Sequence, residues 1–153
     1  MPIPNIDAIL TAGVLIGQNS KDTAVGLAWL KEHWREWDKV VFNPTIGPGA
    51  TVPAGAPDYV QRWVAASTPQ RADMILYRAG DQVAAIVEIK QRIDGGALGQ
   101  LLTYRYLLQQ DNPQLLQVYL YAIGVSIQAG ITEFFRSQGL IVETFPLTFP
   151  VSS

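Results

Sequence analysis

The chain has no cysteine and a single histidine among its 153 residues. The first absence excludes a disulfide framework and any thiolate metal site. The second excludes multi-histidine zinc centres and speaks against Ser–His nucleophilic catalysis, since His33, between Glu32 and Trp34, would be the one imidazole available. Charge is scarce too. Asp, Glu, Lys and Arg make up 16% of the chain, against about 25% in an average soluble protein. With 48% apolar residues, that composition excludes disorder and suggests surface that a partner covers. A net charge of −2 gives no general attraction to nucleic acid, so such a substrate would need a local basic strip. No glycine-rich loop carries a phosphate-binding lysine, and Gly95-Gly96 lacks the strand–turn–helix spacing of one, which argues against a nucleotide-binding enzyme. Residues 6–16 are apolar but short, contain Asp7 and lack a basic flank. They read as neither signal peptide nor membrane span, and the expected compartment is the cytoplasm.

A chain of this length fits one domain with a real core. Residues 1–153 are read as a single domain whose core runs from about 24 to 145. Residues 5–16 are ambiguous between helix and strand. Apolar positions from 23 to 38 recur at helical spacing, with Ser20 or Asp22 as the cap. Trp29, Trp34 and Trp37 read as packing, and His33 as a surface residue. Residues 39–43 read as a strand. The stretch 44–57, with Pro44, Pro48, Pro53, Pro57, Gly47, Gly49 and Gly55, reads as a loop, either a flap or a partner surface. A short helix is expected from Pro57-Asp58 to Ala66, capped by Asp58.

Residues 71–78 and 83–90 form a predicted hairpin around Ala79-Gly80-Asp81-Gln82. Helical spacing follows over 97–110, a buried strand over 115–125, a helix over 127–138 ending at Gly139, and a strand over 140–145. Strands alternating with helices in this order predict an α/β domain, a mixed sheet flanked by helices with an αβββαβ core.

Three charged residues interrupt the apolar strands of the hairpin. If the loop is 79–82, Arg78 faces Val83 and Asp73 faces Glu88, with Cβ atoms ~4.5–5.5 Å apart. Alternation puts Lys90 on the same side as Glu88, next to Arg71. A loop one residue different would separate the two carboxylates. Two such carboxylates repel unless a cation joins them. Mg²⁺, or Mn²⁺ in its place, takes hard oxygen ligands and accepts a phosphate oxygen, which suits phosphodiester hydrolysis. Lys90 could orient a water or offset charge on phosphorus. Arg71, Lys90, Arg92 and Arg105 are candidates for a basic strip along DNA.

Asp73, then Glu88-Ile89-Lys90, resembles the PD-(D/E)XK nuclease superfamily, with Ala72 in place of the nominal proline. Gln100-Leu-Leu-Thr-Tyr104 resembles the Gln-x-x-x-Tyr of its exonuclease-like branch, and places both residues on one helix face. The resemblance covers roughly residues 24–125. It implies Asp73 and Glu88 as metal ligands, Lys90 as the catalytic lysine, and Gln100 and Tyr104 near the scissile phosphate or a base. It also implies a first-helix glutamate, for which Glu32 and Glu36 are the candidates. Asp58 makes a poorer partner for Glu88 than Asp73.

Bland readings stand beside these. The three charges could be solvated strand ends, with Glu88 paired to Arg71 or Arg92, and Tyr104 could be a core-edge tyrosine. Glu32 and Glu36 could be a solvated helix face. The leading expectation is a Mg²⁺-dependent deoxyribonuclease. Its rival is a non-catalytic component of a phage particle or other assembly that keeps the fold, with a homo-oligomer or assembly proteins as partners and, in that case, the virion as its location.

Overall fold

The computed structural model describes residues 3–12, 18–46, 55–61 and 70–146. Its centre is a five-stranded mixed sheet of β1 (Lys39–Phe42), β4 (Met74–Arg78), β5 (Val83–Ile93), β6 (Gln117–Ile127) and β7 (Leu140–Thr144), in that spatial order. β1–β4 and β4–β5 are antiparallel, whereas β5–β6 and β6–β7 are parallel. A separate two-stranded ladder joins β2 (Thr45–Ile46) to β3 (Gln70–Arg71).

Helices cover both faces. α1 (Ile6–Ala12) and α2 (Ser20–His33) lie on one, α3 (Gly95–Asp111) and α4 (Thr132–Ser137) on the other. On the first face Val25, Trp29 and Leu30 of α2 pack against Leu76, Val87 and Ile123 of the sheet. On the second, Leu101, Tyr104 and Leu107 of α3 pack against Ile75, Ile86 and Leu120. Leu101 and Ile86 are fully buried, and burial of each such side chain contributes about 1.5–3 kcal/mol. Strand alternation thus assigns Ala84, Ile86 and Glu88 to the α3 side and Ala85, Val87 and Ile89 to the α2 side.

The α/β architecture is the expected one, and the hairpin register is the one derived from its loop: Arg78 faces Val83 and Met74 faces Val87. The turn holds Ala79, Gly80 and Asp81 all at positive φ, 54°, 65° and 64°, which tightens it enough to fix that register. Trp29 and Trp37 are fully buried.

Several boundaries differ. Asn19 caps α2, its side chain accepting the Asp22 amide at 2.8 Å, so neither Ser20 nor Asp22 is the cap. α2 ends at His33 and tightens to a 3₁₀ turn over Trp34–Glu36. The 44–57 stretch is not all loop, because Thr45–Ile46 pairs with Gln70–Arg71. β6 runs on to Ile127 and Gly130 turns the chain at φ 84°, leaving α4 shorter than the 127–138 expected. Helical structure at 58–61 agrees with a helix opening at Asp58; its expected continuation to Ala66, and the middle of the Pro/Gly stretch, lie outside the described residues. Among the described residues no helix is long and apolar enough to cross a membrane.

Candidate active site

The β4–β5 ladder stops at Met74–Val87, and Asp73 sits just beyond it. The carboxylate there takes over from the backbone: Oδ2 accepts the Ile89 N–H at 2.6 Å. Oδ1 accepts the Gln18 side-chain amide, also at 2.6 Å, so Asp73 is held from both sides. The Asp73 carbonyl accepts the Asn43 N–H at 2.8 Å, tying its backbone to the end of β1.

Glu88 lies in the middle of β5 and is 5% exposed. Lys90 Nζ stands 3.9 Å from Glu88 Oε1, at the outer limit of an ion pair. Glu88 Oε2 is buried with no hydrogen-bond partner. Burial pushes the Glu88 carboxyl well above its ordinary range, the Asp73 charge pushes it further, and Lys90 only partly opposes them. Burial also raises Asp73, against the Ile89 amide, the Gln18 amide and the neighbouring Glu88 carboxyl, all of which favour its charged form. A buried carboxyl with an unsatisfied oxygen, beside a part-buried one, forms a donor set that a hard divalent cation would complete. Mg²⁺ and Mn²⁺ therefore fit the residues present.

The structure brings some of the expected surroundings to the acids and leaves others apart. Tyr104 of α3 is buried and its hydroxyl donates to the Arg71 carbonyl at 3.2 Å. Burial, with the Glu88 and Asp73 charges adding, raises that hydroxyl far above its usual range, while Gln100 opposes the shift. Tyr104 is thus a proton-holding donor beside the acids, and Gln100, one turn earlier, is its neighbour. Arg71, however, is not beside Lys90. It belongs to β3, opposite Thr45, because the β4 ladder opens before reaching it. Arg71 and Arg92 are exposed and Arg105 half-buried. Among the described residues no arginine forms an ion pair with Glu88; Lys90 does.

The α2 carboxylate nearest the pair is Asp22, which the sequence offered only as a cap. Its charge adds to the upward shifts of both Asp73 and Glu88. Gln91 of β5 donates to Asp22 Oδ1 at 2.8 Å, fastening the start of α2 beside the strand that carries Glu88 and Lys90. Gln18 and Gln91, each holding an acid, were also missed. An Asx-type Asn–x–x–Asp start was the signal available for Asp22.

Glu32 and Glu36 lie elsewhere. Glu36 meets His33 Nδ1 at 2.6 Å, and Glu143 of β7 meets Nε2 at 3.0 Å. Glu32, His33 and Glu143 bring one ligand atom each within 4.8 Å of one another, on the α2 face of the sheet. His33 is half-buried rather than superficial and stacks on Trp29 at 4.5 Å. Desolvation lowers its pKa, but the hydrogen bonds and charges of Glu143 and Glu36 outweigh it and leave the imidazole raised.

No family model matches this chain, and no curated protein matches it. Among solved structures, it is similar to a repair endonuclease from Pyrococcus abyssi, at TM-score 0.51 and 13% identity, over 84% of this chain and 47% of that one. It also matches a structure of an EndoMS–dsDNA2 complex at TM-score 0.46 and 15% identity, over 86% of this chain and 48% of that one. The chain spans about half the length of the structures it matches. At 13% identity the first likeness is one of fold. The mixed sheet with helices on both faces is an architecture that a repair endonuclease also uses.

Proposed function

We propose that this chain is a metal-dependent nuclease of the PD-(D/E)XK kind that hydrolyses DNA phosphodiester bonds. The observation that carries the proposal is Glu88: a buried carboxyl with an unpartnered oxygen, set beside Asp73 and Lys90. A fold similar to that of a repair endonuclease supports it.

In this reading Asp73 and Glu88 hold Mg²⁺ or Mn²⁺, with Asp22 adding negative charge at the same end of the sheet. When bound, the cation supplies Lewis acidity, favouring ionisation of water and offsetting charge that develops on the phosphate. Lys90 acts as a point cation that orients the attacking water and stabilises the same charge. Tyr104, locked as a donor, and Gln100 line the α3 side of the site. Arg71, Arg92 and Arg105 are the cations offered to the DNA backbone. The Glu88–Lys90 pair is backed by β6, which pairs with β5 at both residues, and such support from a regular element is what positional catalysis requires.

Cleavage of single-stranded, linear and supercoiled DNA with Mg²⁺ or Mn²⁺ tests this, with Glu88→Gln and Lys90→Ala assayed alongside. Wild-type cleavage that both variants lose is the expected result. Cleavage retained by both would refute these residue roles. A wild type that cleaves none of the substrates would refute the nuclease reading and favour an assembly protein that retains the fold.

A further inference from the structure

Lys90 faces Gly124 across the parallel β5–β6 ladder. A Cβ at position 124 would lie 2.3 Å from the Lys90 carbonyl oxygen, and 3.0 Å from Ile93 Cγ1. Even the short Cα–H···O contacts between strands keep carbon and oxygen about 3.3 Å apart, so a methyl here would have to part the strands by roughly 1 Å. The requirement is one of space, since Gly124 is not among the residues at positive φ. The obstacle is backbone, which cannot rotate aside as a side chain can.

The two strands are not equally free to yield. β6 is clamped on its far side, where Gly124 pairs with Thr144 and its carbonyl accepts the Phe145 N–H at 2.8 Å. β5 at Lys90 has already lost its other neighbour, because the β4 ladder ends at Val87. Beyond that point the Asp73–Ile89 hydrogen bond holds it. Displacement would therefore fall on Lys90. The neighbouring pairs Glu88–Ala122 and Ile89–Ile123 tolerate a side chain on β6, so the close approach is local to the lysine.

We propose that Gly124 is a positioning residue, whose missing side chain lets β5 settle against β6 and sets where Lys90 stands relative to Glu88. The inference deepens the nuclease reading and rests on it for its catalytic consequence. Its structural half stands without it.

The test is Gly124→Ala, assayed well below its melting temperature and followed by NMR of the metal-free protein. The expected result is a fall in kcat of about 100-fold, the scale of a ~1 Å misplacement, with KM for DNA changed by less than about threefold. Resonances of residues 89–91 should shift while those of Phe135, in the opposite helix layer, stay in place. Gly124→Ala with Ile93→Ala removes Cγ1 and Cδ1, the side-chain atoms nearest the new methyl, but leaves the carbonyl clash, so it should remain as slow per folded molecule. Restoration of kcat by Ile93→Ala would overturn the proposal in favour of simple core packing. So would a loss of stability with kcat per folded molecule unchanged, or unmoved resonances at 89–91. If the wild type cleaves no DNA, the nuclease reading fails, and the NMR shifts still decide whether Gly124 positions Lys90.

Discussion

Replacing Glu88 by Gln should stabilise the metal-free protein at high pH, although it removes a residue of the candidate site. Glu88 is 5% exposed and one of its oxygens has no partner. A buried, unsatisfied polar group costs about 1–3 kcal/mol, more when charged. Glutamine keeps the shape, carries no charge and can donate to Asp73, so a gain of about 2 kcal/mol is expected once Glu88 would be ionised. At about 2–4 °C per kcal/mol for a domain of this size, the melting temperature should rise by about 4–8 °C. Because the folded-state carboxyl is raised well above its ordinary range, the wild type has its full stability below the unfolded glutamate range. It loses that stability as pH rises through the higher folded value. Glutamine has no such loss. Thermal unfolding in EDTA at about pH 5 and pH 8.5 reads the difference directly: near zero at the lower pH, several degrees at the higher. Saturating Mg²⁺ should reverse the order, since binding at 100 times Kd adds about 2.7 kcal/mol to the wild type alone. A Glu88→Gln protein that is no more stable than wild type at pH 8.5 in EDTA would refute the argument that Glu88 is a buried, cation-seeking carboxylate.

Asp22→Asn should weaken the Mg²⁺ midpoint, read by thermal shift, by about tenfold, as loss of a supporting group near a metal does; an unchanged midpoint would remove Asp22 from the site. His33→Ala should cost about 1–3 kcal/mol, read by denaturant unfolding near neutral pH. Because the imidazole is raised between Glu36 and Glu143, that contribution is complete below the ordinary histidine range and fades as pH rises through the folded value. NMR titration of the ring should place its midpoint above that of a free histidine. Leu101→Ala, at a fully buried position of α3, should cost about 2–5 kcal/mol in the same unfolding assay.

What the sequence made legible was what is local. The register of β4 on β5 followed from a four-residue turn, and α3 from the spacing of Leu101, Tyr104 and Leu108. The neighbourhood of the acids was not local. Gln18 reaches Asp73 across 55 positions and Gln91 reaches Asp22 across 69. Neither contact leaves a periodicity to read, because both arise when α2 is laid over the sheet. The same packing sets His33, which Glu36 meets locally, against Glu143 and leaves Glu36 away from the acids. Arg71 was misplaced for a related reason: strand alternation assumes a continuous ladder, and the ladder opens where Asp73 turns its carboxylate to the Ile89 amide. Asp73 and Glu88 still meet, with a side chain standing where the backbone pairing ends.

That opening also bears on the order in which the molecule assembles. Residues 74–87 can close as a hairpin with little loop entropy, but β5 finds β6 only after α3 has intervened, Val83 meeting Gln117. Non-local parallel pairing of this kind is a slow step in folding. The Ile89 amide belongs to the stretch that the hairpin leaves unpaired, and its acceptor is a side chain fastened in turn by Gln18. Asp73 and Glu88 flank that hairpin directly and can meet when it closes, whereas the Gln18 brace on Asp73 and the β6 support beside Lys90 arrive only with the later, non-local packing. A chain caught before that point would carry the acids without the brace and the neighbouring strand that fix them, so a well-ordered ion site belongs to the finished fold.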